Sequence, residues 1–581
     1  MPEQRPGTST EAVPAYGSDL VAALLRRLDI PFLAINPGAS FRGLHDSVVN
    51  YLGNIAPRLL LTLHEAQAVA IAHGYAKVTG KPLGIVLHAN VGLMNAVMAI
   101  YDAWVDRVPM LIIGATGAVD AARRRPWIEW IHTSRDQAAL VRPFVKWDDQ
   151  PASIESALES LLRANHMTRA PPCAPVYVCL DVTLQEAALP DESRNVLGAL
   201  PDPTRFAAPA PLIPAAGELD EAAALLGKAR RPIMLIGRHE RTERAWHARV
   251  ELAERLGAAV VCDQKCGVGF ASDHERFVAA PAQYPDERTV RALEQADAVL
   301  SLDWPDLAGL FSARKDKGRG LPTVIASPDE RLHNGWTFDH FPLAEADFRF
   351  ALPADALVHA LLPRLPAKSS PVWTPPPGRE ERTDAGTNAI TLGALAAAFD
   401  RVRGSRAVCL TRLPFGWPDS LTRFTGPLDC IGYDGGGGIG STPGITVGAA
   451  LALRGTGRLP VAILGDGDLL MGSQALWTAA AEGLPALFIV NNNRAFHNDV
   501  EHQERVARQR GRPVENREIG MRIADPAVDL PALARAHGLV SYPTVSALGE
   551  LESALEQAFA AAEAGSTVLL DVLVKPPPMR R

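Results

Sequence analysis

The chain has little cysteine, no long apolar run and no excess of basic charge, and each shortage excludes a class of protein. Six cysteines are spread over 581 residues, so no disulfide framework is expected and the thiols are predicted to be reduced in a cytoplasmic protein. The closest loop pair, Cys262 and Cys266, lacks the further ligands of a zinc site. No apolar run reaches the length of about 18 residues that a membrane span needs. The net charge of −7, with scattered basic residues, favours no nucleic-acid or anionic-membrane partner.

Composition and chain punctuation predict three domains. The hydrophobic share of 47% is ordinary for a globular protein, and two stretches rich in Pro, Ala and Gly favour irregular linkers. The polar N-terminus, with no apolar core, indicates a disordered leader rather than a signal peptide. We therefore predict a leader over residues 1–16, an N-terminal domain over 17–190, a linker over 191–216, a central domain over 217–365, a linker over 366–385 and a C-terminal domain over 386–581.

Short apolar runs alternate with longer amphipathic segments in all three domains. Such β-branched runs, separated by helical patterns, are typical of parallel sheets that are covered by helices on both faces. The predicted strands are residues 59–63, 83–87, 110–113 and 176–182, then 233–236, 258–262, 298–302 and 323–326, and finally 461–464, 486–490 and 568–574. The fold class is therefore α/β in each domain, with a Rossmann-like central domain.

The first and third domains share an order of motifs. The run 83–87 leads into His88 and a helical stretch, and the run 461–464 leads into Gly465-Asp466 and a helical stretch. Each block closes with a helix-like segment and a final apolar strand. This internal repeat indicates a duplicated domain. Because ligands of open α/β sheets bind at the carboxyl ends of strands, the residues after these runs are the candidate site residues.

Two polar motifs at neighbouring strand ends favour a metal and a diphosphate. Gly465-Asp466-Gly467 opens a helix, whose N-terminal N–H groups suit phosphate oxygens, while Asp466 offers the hard oxygen that Mg²⁺ prefers. The next strand ends in residues 491–493, all asparagine, and Asn493 lies 27 positions after Asp466. Alone, Gly-Asp-Gly is usually a tight turn and Asn-Asn-Asn a cap or loop. The combination is what points to one site.

Gly-Asp-Gly and Asn-Asn at this separation match the thiamine-diphosphate signature. From about residue 18 to residue 575 the chain resembles the thiamine-diphosphate-dependent 2-oxo acid decarboxylases and acetolactate-synthase-like enzymes, with a local pattern similar to the benzoylformate decarboxylases. The resemblance implies Mg²⁺ ligands from Asp466, the Asn493 side chain and the Ala495 carbonyl. The implied cofactor-binding residues are Glu65, Gly438, Ile439, Gly465, Asp466, Gly467, Asp468 and Asn493.

Glu65 follows the apolar run 59–63 and precedes a helix-like stretch. The ordinary interpretation of such a glutamate is a helix N-terminal charge that complements the dipole. The resemblance instead implies that Glu65 exchanges a proton with the pyrimidine ring of the cofactor. It also implies that Ile439 is the bulky side chain beneath the cofactor.

The glycine-rich segment near Ile439 also satisfies a dinucleotide fingerprint, Gly435-x-Gly437-x-x-Gly440. A nicotinamide oxidoreductase is therefore an alternative. The acidic residue that follows, Asp466, lies 31 positions after Gly435, whereas the usual separation is about 20. Thr442-Pro443-Gly444 is expected to interrupt the helix start, and this alternative leaves Glu65 unexplained. We rank it lower.

Substrate contacts are expected in the first domain. The loop Asn36-Pro37-Gly38 resembles the family's substrate loop, but Ala39 stands where benzoylformate decarboxylases have serine, and Ser40 comes next. That departure weakens the case for a carboxylate contact at this position, and Arg42 is a possible substitute. His88 matches an active-site histidine and is the predicted proton shuttle.

The other two domains give fewer substrate candidates. His274 in the central domain is a looser match to a second active-site histidine. Met471 and His497 are predicted to line the pocket, and the charged stretch 501–522 is expected to be a solvated loop or lid.

The predicted function is decarboxylation of a 2-oxo acid, carboligation to a 2-hydroxy ketone, or both, with thiamine diphosphate and Mg²⁺. A lyase acting on 2-hydroxyacyl-CoA or 2-hydroxy ketones is the alternative within this cofactor class, and a non-catalytic relative is a further one. The middle domain lacks the acetolactate-synthase pattern for FAD, so FAD is not expected. The implied partners are a small 2-oxo acid or aldehyde and further copies of the chain, as a homodimer or homotetramer with active sites between subunits.

Overall fold

Three parallel sheets make up the chain in the computed structural model, which describes residues 13–190, 200–210, 212–282, 284–331, 343–366, 388–433 and 435–576. The described residues form two compact units. The first unit holds the N-terminal sheet, and the second holds the central and C-terminal sheets. The predicted linker residues 191–199 and 367–385, and leader residues 1–12, lie outside the described residues. The domain boundaries stay predictions.

The N-terminal sheet has six strands, all paired in parallel. The strands are β1 (Phe32–Ile35), β2 (Arg58–Leu61), β3 (Gly84–Leu87), β4 (Met110–Thr116), β5 (Asp148–Asp149) and β6 (Pro175–Asp181). The helices are α1 (Gly17–Arg27), α2 (Arg42–Asp46), α3 (Glu65–Thr79), α4 (Ala89–Val105), α5 (Ile154–Arg169) and α6 (Val182–Glu186). The strand order is β2-β1-β3-β4-β6-β5.

The central sheet also has six parallel strands, in the order β12-β11-β10-β7-β8-β9. They are β7 (Pro232–Ile236), β8 (Ala259–Cys262), β9 (Phe277–Ala279), β10 (Ala298–Leu302), β11 (Thr323–Ala326) and β12 (Phe348–Phe350). The helices are α7 (Ala216–Lys228), α8 (Glu243–Leu256), α9 (Glu287–Gln295), α10 (Leu307–Phe311) and α11 (Ala354–Leu361). The order reverses between β7 and β10, which makes this domain Rossmann-like, as predicted.

The C-terminal sheet follows the order β13-β18-β16-β15-β14, with β17 beside β18. Its strands are β13 (Ile390–Thr391), β14 (Val408–Arg412), β15 (Leu459–Gly465), β16 (Ala486–Asn492), β17 (Val540–Ser541) and β18 (Thr567–Lys575). Its helices are α12 (Leu392–Arg403), α13 (Thr442–Leu453), α14 (Asp466–Gly472), α15 (Gln474–Ala481), α16 (His497–Gln509), α17 (Leu530–Ala536) and α18 (Leu551–Glu563).

The outer two sheets share one topology, which confirms the predicted repeat. The N-terminal order β1-β3-β4-β6-β5 corresponds strand by strand to the C-terminal order β14-β15-β16-β18-β17. Each sheet then has one extra strand, β2 in the first and β13 in the second. His88, which follows β3, is thus the topological equivalent of Asp466, which follows β15.

The central strands are buried along their length, because helices cover both faces of each sheet. All four residues of β3 and all seven of β16 are buried, as the continuous apolar runs predict. Among the described residues, no helix combines the length and apolar character needed to cross a membrane. All six cysteines are free thiols, five of them buried.

Two local predictions were wrong. Thr442-Pro443-Gly444 does not interrupt a helix but begins α13, because proline in the first turn loses no intrahelical hydrogen bond. The charged stretch 501–522 was predicted to be a solvated loop or lid, yet its residues up to Gln509 are helical and belong to α16. That helix buries Val500 and Glu504 against the domain and exposes its remaining charged face.

Candidate active site

The predicted metal end lies where β15 and β16 finish side by side. Gly465 pairs with Asn491 in the parallel register, and Asp466 begins α14 directly after Gly465. Asp466 is 3% exposed, and burial raises its pKa to about 6, although the backbone N–H groups of Gly467 and Arg494 oppose the shift. Its Oδ2 atom has no hydrogen-bond partner among the described residues. A buried, unpaired carboxylate oxygen suits a bound cation.

The three asparagines at the end of β16 have different environments. Asn492 donates from Nδ2 to Asp571 Oδ1 at 3.0 Å, so its side chain faces β18. The Oδ1 atom of Asn493 accepts the Ala495 N–H at 3.0 Å, which leaves one lone pair for a metal. Asn491 is buried, and its Oδ1 atom lacks a partner within the part of the chain that the structure describes. Asn491 is therefore a further oxygen donor at this end of the sheet, although the resemblance implied only Asn493 as a ligand.

Asp468 anchors the glycine-rich segment. Its Oδ1 atom accepts the Gly440 N–H at 2.7 Å and its Oδ2 atom accepts the Thr442 hydroxyl at 2.6 Å. Arg412 Nε lies 3.8 Å from Oδ2. Both carboxylate oxygens are thus occupied by neighbouring protein groups. A direct contact between Asp468 and the cofactor stays a prediction, and the observed contacts support the loop that carries Ile439.

The glycine-rich segment has a backbone that only glycine adopts readily. Gly435, Gly437 and Gly440 have φ values of 82°, 76° and 103°, in the region where a Cβ would be strained. Ile439 is half-buried between them. A Cβ on Gly440 would lie 2.9 Å from Met471 Cβ, so Met471 packs against this segment while remaining 55% exposed.

Gly438 belongs to the first compact unit. A Cβ at this position would lie 2.2 Å from Met98 Cε. The lack of a side chain therefore lets the segment approach α4 closely. The roles of Gly438 and Ile439 toward the cofactor stay predictions.

Glu65 is the first residue of α3, which begins shortly after the carboxyl end of β2 in the N-terminal sheet. The helix is capped by His64, whose Nδ1 accepts the Ala66 N–H at 3.1 Å. Glu65 is 9% exposed, and Asn95 Nδ2 donates to its Oε2 atom at 3.1 Å. Asn95 lies on α4 and was missed in the sequence, since an asparagine in a helix has no distinctive spacing relative to a glutamate 30 positions away.

His88 lies in the same part of the N-terminal domain as Glu65. A Cβ on Gly92 would be 3.3 Å from Glu65 Oε1 and 3.5 Å from His88 Cβ, so both side chains border one glycine of α4. On its other side, the His88 ring contacts the predicted substrate loop, because a Cβ on Gly38 would be 2.2 Å from His88 Cγ. The structure thus brings together Glu65, His88 and the Gly38 loop.

Ser40 and His132 complete the surroundings of His88. The Ser40 hydroxyl lies 2.9 Å from His88 Nδ1, and the His132 ring meets the His88 ring edge-on with centroids 4.8 Å apart. Burial, and then His132 and Arg125, lower the pKa of His88, while Glu65 opposes them. His132 was not predicted, because it lies in an irregular segment after β4 that shows no periodic pattern.

Ala39 and Arg42 show no sign of a direct anion site. Ala39 is exposed, and its carbonyl accepts a hydrogen bond from Arg42 Nη1 at 2.9 Å. Arg42 is also paired with Glu186, with Nη2 3.0 Å from Oε2. If Arg42 is to bind the substrate carboxylate in place of the family's serine, its ion pair with Glu186 must open.

The two remaining histidine candidates lie in the second compact unit. His274 Nε2 lies 3.2 Å from Glu254, and its Nδ1 accepts the Arg276 N–H at 3.1 Å. His497 begins α16, with Nε2 3.5 Å from Glu501. The active-site roles of both histidines stay predictions. His497 Nε2 is buried and makes no hydrogen bond to the described residues.

Comparison with known proteins identifies a family for all three domains. The family described as thiamine pyrophosphate enzyme, N-terminal TPP binding domain, matches residues 16–140. The corresponding central domain matches residues 219–302, and the C-terminal TPP binding domain matches residues 415–572. The chain belongs to the thiamine pyrophosphate enzyme family. Its outer domains are therefore the two cofactor-binding domains, which confirms the predicted cofactor.

Relatives with assigned names span nearly the whole chain. A benzoylformate decarboxylase from Pseudomonas aeruginosa is 28% identical over 87% of this chain and 90% of the relative. The large subunit of acetolactate synthase from Corynebacterium glutamicum is 25% identical over 82% of this chain and 75% of its own. These relatives agree with the predicted group of decarboxylases and carboligases.

Solved structures share the fold. A 4-hydroxybenzoylformate decarboxylase from Rhodococcus jostii superposes with a TM-score of 0.78 at 21% identity, covering 97% of this chain and 100% of the other. Benzoylformate decarboxylase from Polynucleobacter necessarius gives 0.79 at 19% identity, covering 97% and 100%.

Proposed function

We propose that this thiamine pyrophosphate enzyme decarboxylates a small 2-oxo acid, and that it passes the remaining fragment either to a proton or to an acceptor aldehyde. The observation that carries the proposal is that a buried glutamate, Glu65, borders the same glycine of α4 as His88. Glu65 suits proton exchange with the cofactor, and His88 suits proton transfer to or from the substrate. The named relatives support the choice of a 2-oxo acid.

The residues present fit the cofactor and its metal. At the C-terminal strand ends, Asp466 Oδ2 and Asn491 Oδ1 are buried oxygens without partners among the described residues, and hard oxygen donors are what Mg²⁺ requires. Asp466, Asn493 and the Ala495 carbonyl would hold Mg²⁺, and Asn491 faces the same strand end. When bound, thiamine diphosphate supplies the carbon nucleophile and accepts the electron pair left by the broken C–C bond.

The protein's own groups supply proton transfer and orientation. Glu65 offers a proton site at Oε1, while Asn95 holds its Oε2 atom and so fixes the direction of the carboxyl group. His88 offers its ring beside the Gly38 loop, where the family's substrate loop lies. Burial of Glu65 excludes bulk water from the exchanging proton.

The role of Glu65 is tested by Glu65→Gln, which keeps the shape and the hydrogen-bonding capacity of the side chain. We expect decarboxylation to fall by about a hundredfold or more, while calorimetric binding of thiamine diphosphate with Mg²⁺ is largely retained. Glu155→Gln, in the first turn of α5, is the matched control because it alters another helix N-terminal glutamate of the same domain. If Glu65→Gln keeps the wild-type rate, the proposed acid is wrong.

The metal site is tested through binding rather than rate. Asp466→Ala should abolish the rise in melting temperature that thiamine diphosphate and Mg²⁺ together produce in the wild type, because the ion loses its carboxylate ligand. Removal of metal from the wild type with EDTA should have the same effect, and added Mg²⁺ should reverse it. Full metal-dependent stabilisation of Asp466→Ala would show that Asp466 is not a ligand.

A panel of 2-oxo acids, with and without acceptor aldehydes, identifies the reaction. Aldehyde and CO₂ as products indicate decarboxylation, and a 2-hydroxy ketone indicates carboligation. Turnover of 2-hydroxyacyl-CoA esters without turnover of any free 2-oxo acid would replace this proposal by the lyase alternative.

We further propose a homodimer or homotetramer as the working assembly, which sedimentation velocity would measure. Mixed subunits provide a functional test, since Glu65→Gln and Asp466→Ala disable different domains. If the sites are shared between copies, mixing the two inactive variants under conditions that exchange subunits should restore part of the activity. No recovery, with exchange verified, would contradict shared sites.

A further inference from the structure

The segment that follows β4 places a second histidine against His88. His132 is half-buried, and its ring meets the ring of His88 at an interplanar angle of 76°, with a centroid separation of 4.8 Å. The two residues are 44 positions apart in sequence. Two imidazole rings at this separation influence each other's charge directly, since protonation of one raises the free energy of protonating the other.

The hydrogen bonds at His88 determine its tautomer. The Ser40 backbone N–H, which can only donate, points at His88 Nδ1 at 3.4 Å. The Ser40 hydroxyl oxygen accepts the Ala89 N–H at 3.1 Å and lies 2.9 Å from the same Nδ1. Because the backbone N–H can only donate, Nδ1 is an acceptor, and the nearby hydroxyl can then donate its own proton to the same nitrogen. A neutral His88 consequently carries its proton on Nε2.

The charged groups that face His88 lie on two elements, α3 and the segment after β4. Glu65 at the start of α3 favours the protonated ring, whereas His132 and Arg125, in the segment after β4, disfavour it. Arg125 is itself paired with Glu129, with Nε 2.6 Å from Oε1. Glu129 thus partly neutralises Arg125, and His132 is the group whose ring lies directly against His88.

We propose that His132 is a positioning residue for the proposed reaction: together with Ser40, it keeps His88 as a neutral imidazole whose Nε2–H donates to an oxygen of the bound 2-oxo acid. The proposal rests on the proposed function for its substrate, while the effect of His132 on His88 is a property of the protein alone. The hydrogen bonds between His88 and the described residues are made at Nδ1, which leaves Nε2 for a ligand. His132 acts through the charge that an imidazole ring can carry, and not through the volume of its side chain.

The test uses the full-length enzyme loaded with thiamine diphosphate and Mg²⁺, and the variants His132→Phe and His132→Gln. Phenylalanine keeps a flat ring against His88 but cannot be protonated, and glutamine keeps polarity without the ring. Diethyl pyrocarbonate, which acylates neutral imidazole, is applied across about pH 5 to pH 8, and peptide mass spectrometry reads the modification rate of His88. The matched control is His166→Phe, because His166 is half-buried in the same domain and contacts Phe206 instead.

In both His132 variants we expect the midpoint of His88 modification to move to higher pH, because a group that lowers the pKa of His88 has been removed. The acidic limb of kcat/KM for benzoylformate, or for the best substrate of the panel, should move in the same direction. At pH 6 the variants should lose about tenfold in kcat/KM, with a smaller loss at pH 8. His166→Phe should change neither profile.

An unchanged midpoint in folded His132→Phe or His132→Gln overturns the proposal, as does a rate loss that is equal at every pH. Failure of the proposed function is distinguishable, because it leaves wild-type protein inactive on every 2-oxo acid. In that case a shifted midpoint still supports the effect of His132 on His88, while the assignment of the Nε2 partner as a 2-oxo acid is overturned.

Discussion

Substituting Asp468 tests whether this carboxylate holds the glycine-rich segment in place. Asp468 accepts hydrogen bonds from the Gly440 N–H and the Thr442 hydroxyl, and it is 5% exposed. A hydrogen bond to a charged group contributes about 1.5–3 kcal/mol. Asp468→Ala removes both bonds and should lower the opening free energy of the segment by about 3–6 kcal/mol. Asp468→Asn keeps one acceptor oxygen, so we expect about half that effect.

Hydrogen–deuterium exchange of the cofactor-free protein measures this opening directly. Because about 1.4 kcal/mol corresponds to a factor of ten, exchange of the Gly440 amide should accelerate by about a hundredfold to ten-thousandfold in Asp468→Ala. The acceleration in Asp468→Asn should be about tenfold to a hundredfold. Exchange of the β16 amides should remain unchanged in both variants, since those hydrogen bonds lie within the sheet.

The matched control is Asp499→Ala, which removes an exposed acid from the first turn of α16. We expect no change at Gly440 in this variant. If Gly440 exchanges at the wild-type rate in Asp468→Ala, the two hydrogen bonds do not hold the segment and its conformation has another cause. If Asn and Ala variants accelerate equally, the second hydrogen bond contributes nothing measurable.

Three further predictions concern the contact between Gly38 and His88 and two buried ion pairs. Gly38→Ala places a Cβ 2.2 Å from His88 Cγ and should lower kcat/KM by about tenfold or more. The control Gly217→Ala, with open space around it, should leave kcat/KM unchanged. Equal kcat/KM in the two variants would refute the importance of the Gly38 contact. Although burial opposes the shift, the adjacent ammonium and imidazole hold the pKa of Asp106 well below its ordinary 3.8. Its stabilising charge is therefore present above that ordinary pKa and lost as pH falls below it, so calorimetry should show the wild type losing more melting temperature on acidification than Asp106→Asn does. Arg249→Met leaves a buried carboxylate without its cation and should lower the unfolding free energy by about 3–5 kcal/mol in urea; a change below about 1 kcal/mol would contradict the ion pair's importance.

The fold was predictable because its signal is local. An apolar run such as residues 110–113 shows a buried strand directly, although the structure extends that strand to Thr116. The two-residue strands β5, β13 and β17 had no such signal, since two residues carry no period. The helix start at Thr442 was misjudged because proline was treated as a breaker without regard to its place in the first turn.

The candidate site was predictable where a motif is contiguous, and not where it depends on a tertiary contact. Asp466 and Glu65 directly follow apolar strands, so their positions at sheet edges could be inferred. Asn95 and His132 act through partners that are 30 and 44 positions away, and nothing local marks them. Ser40 was predicted as a substrate contact from its loop, whereas its hydrogen bond with His88, 48 positions away, could not be inferred from the sequence.

Because the outer domains share one strand order, each of five strand ends in the N-terminal domain has an equivalent in the C-terminal domain. The position after β3 holds an imidazole, His88, and the position after β15 holds a carboxylate, Asp466. The segments after β4 and β16 likewise hold His132 in one copy and Asn493 in the other. After a domain is duplicated, the residues that follow the strands of each copy can change while the buried strands stay intact. Changes at the strand ends of the first copy therefore need not alter the residues that follow β15 and β16 in the second.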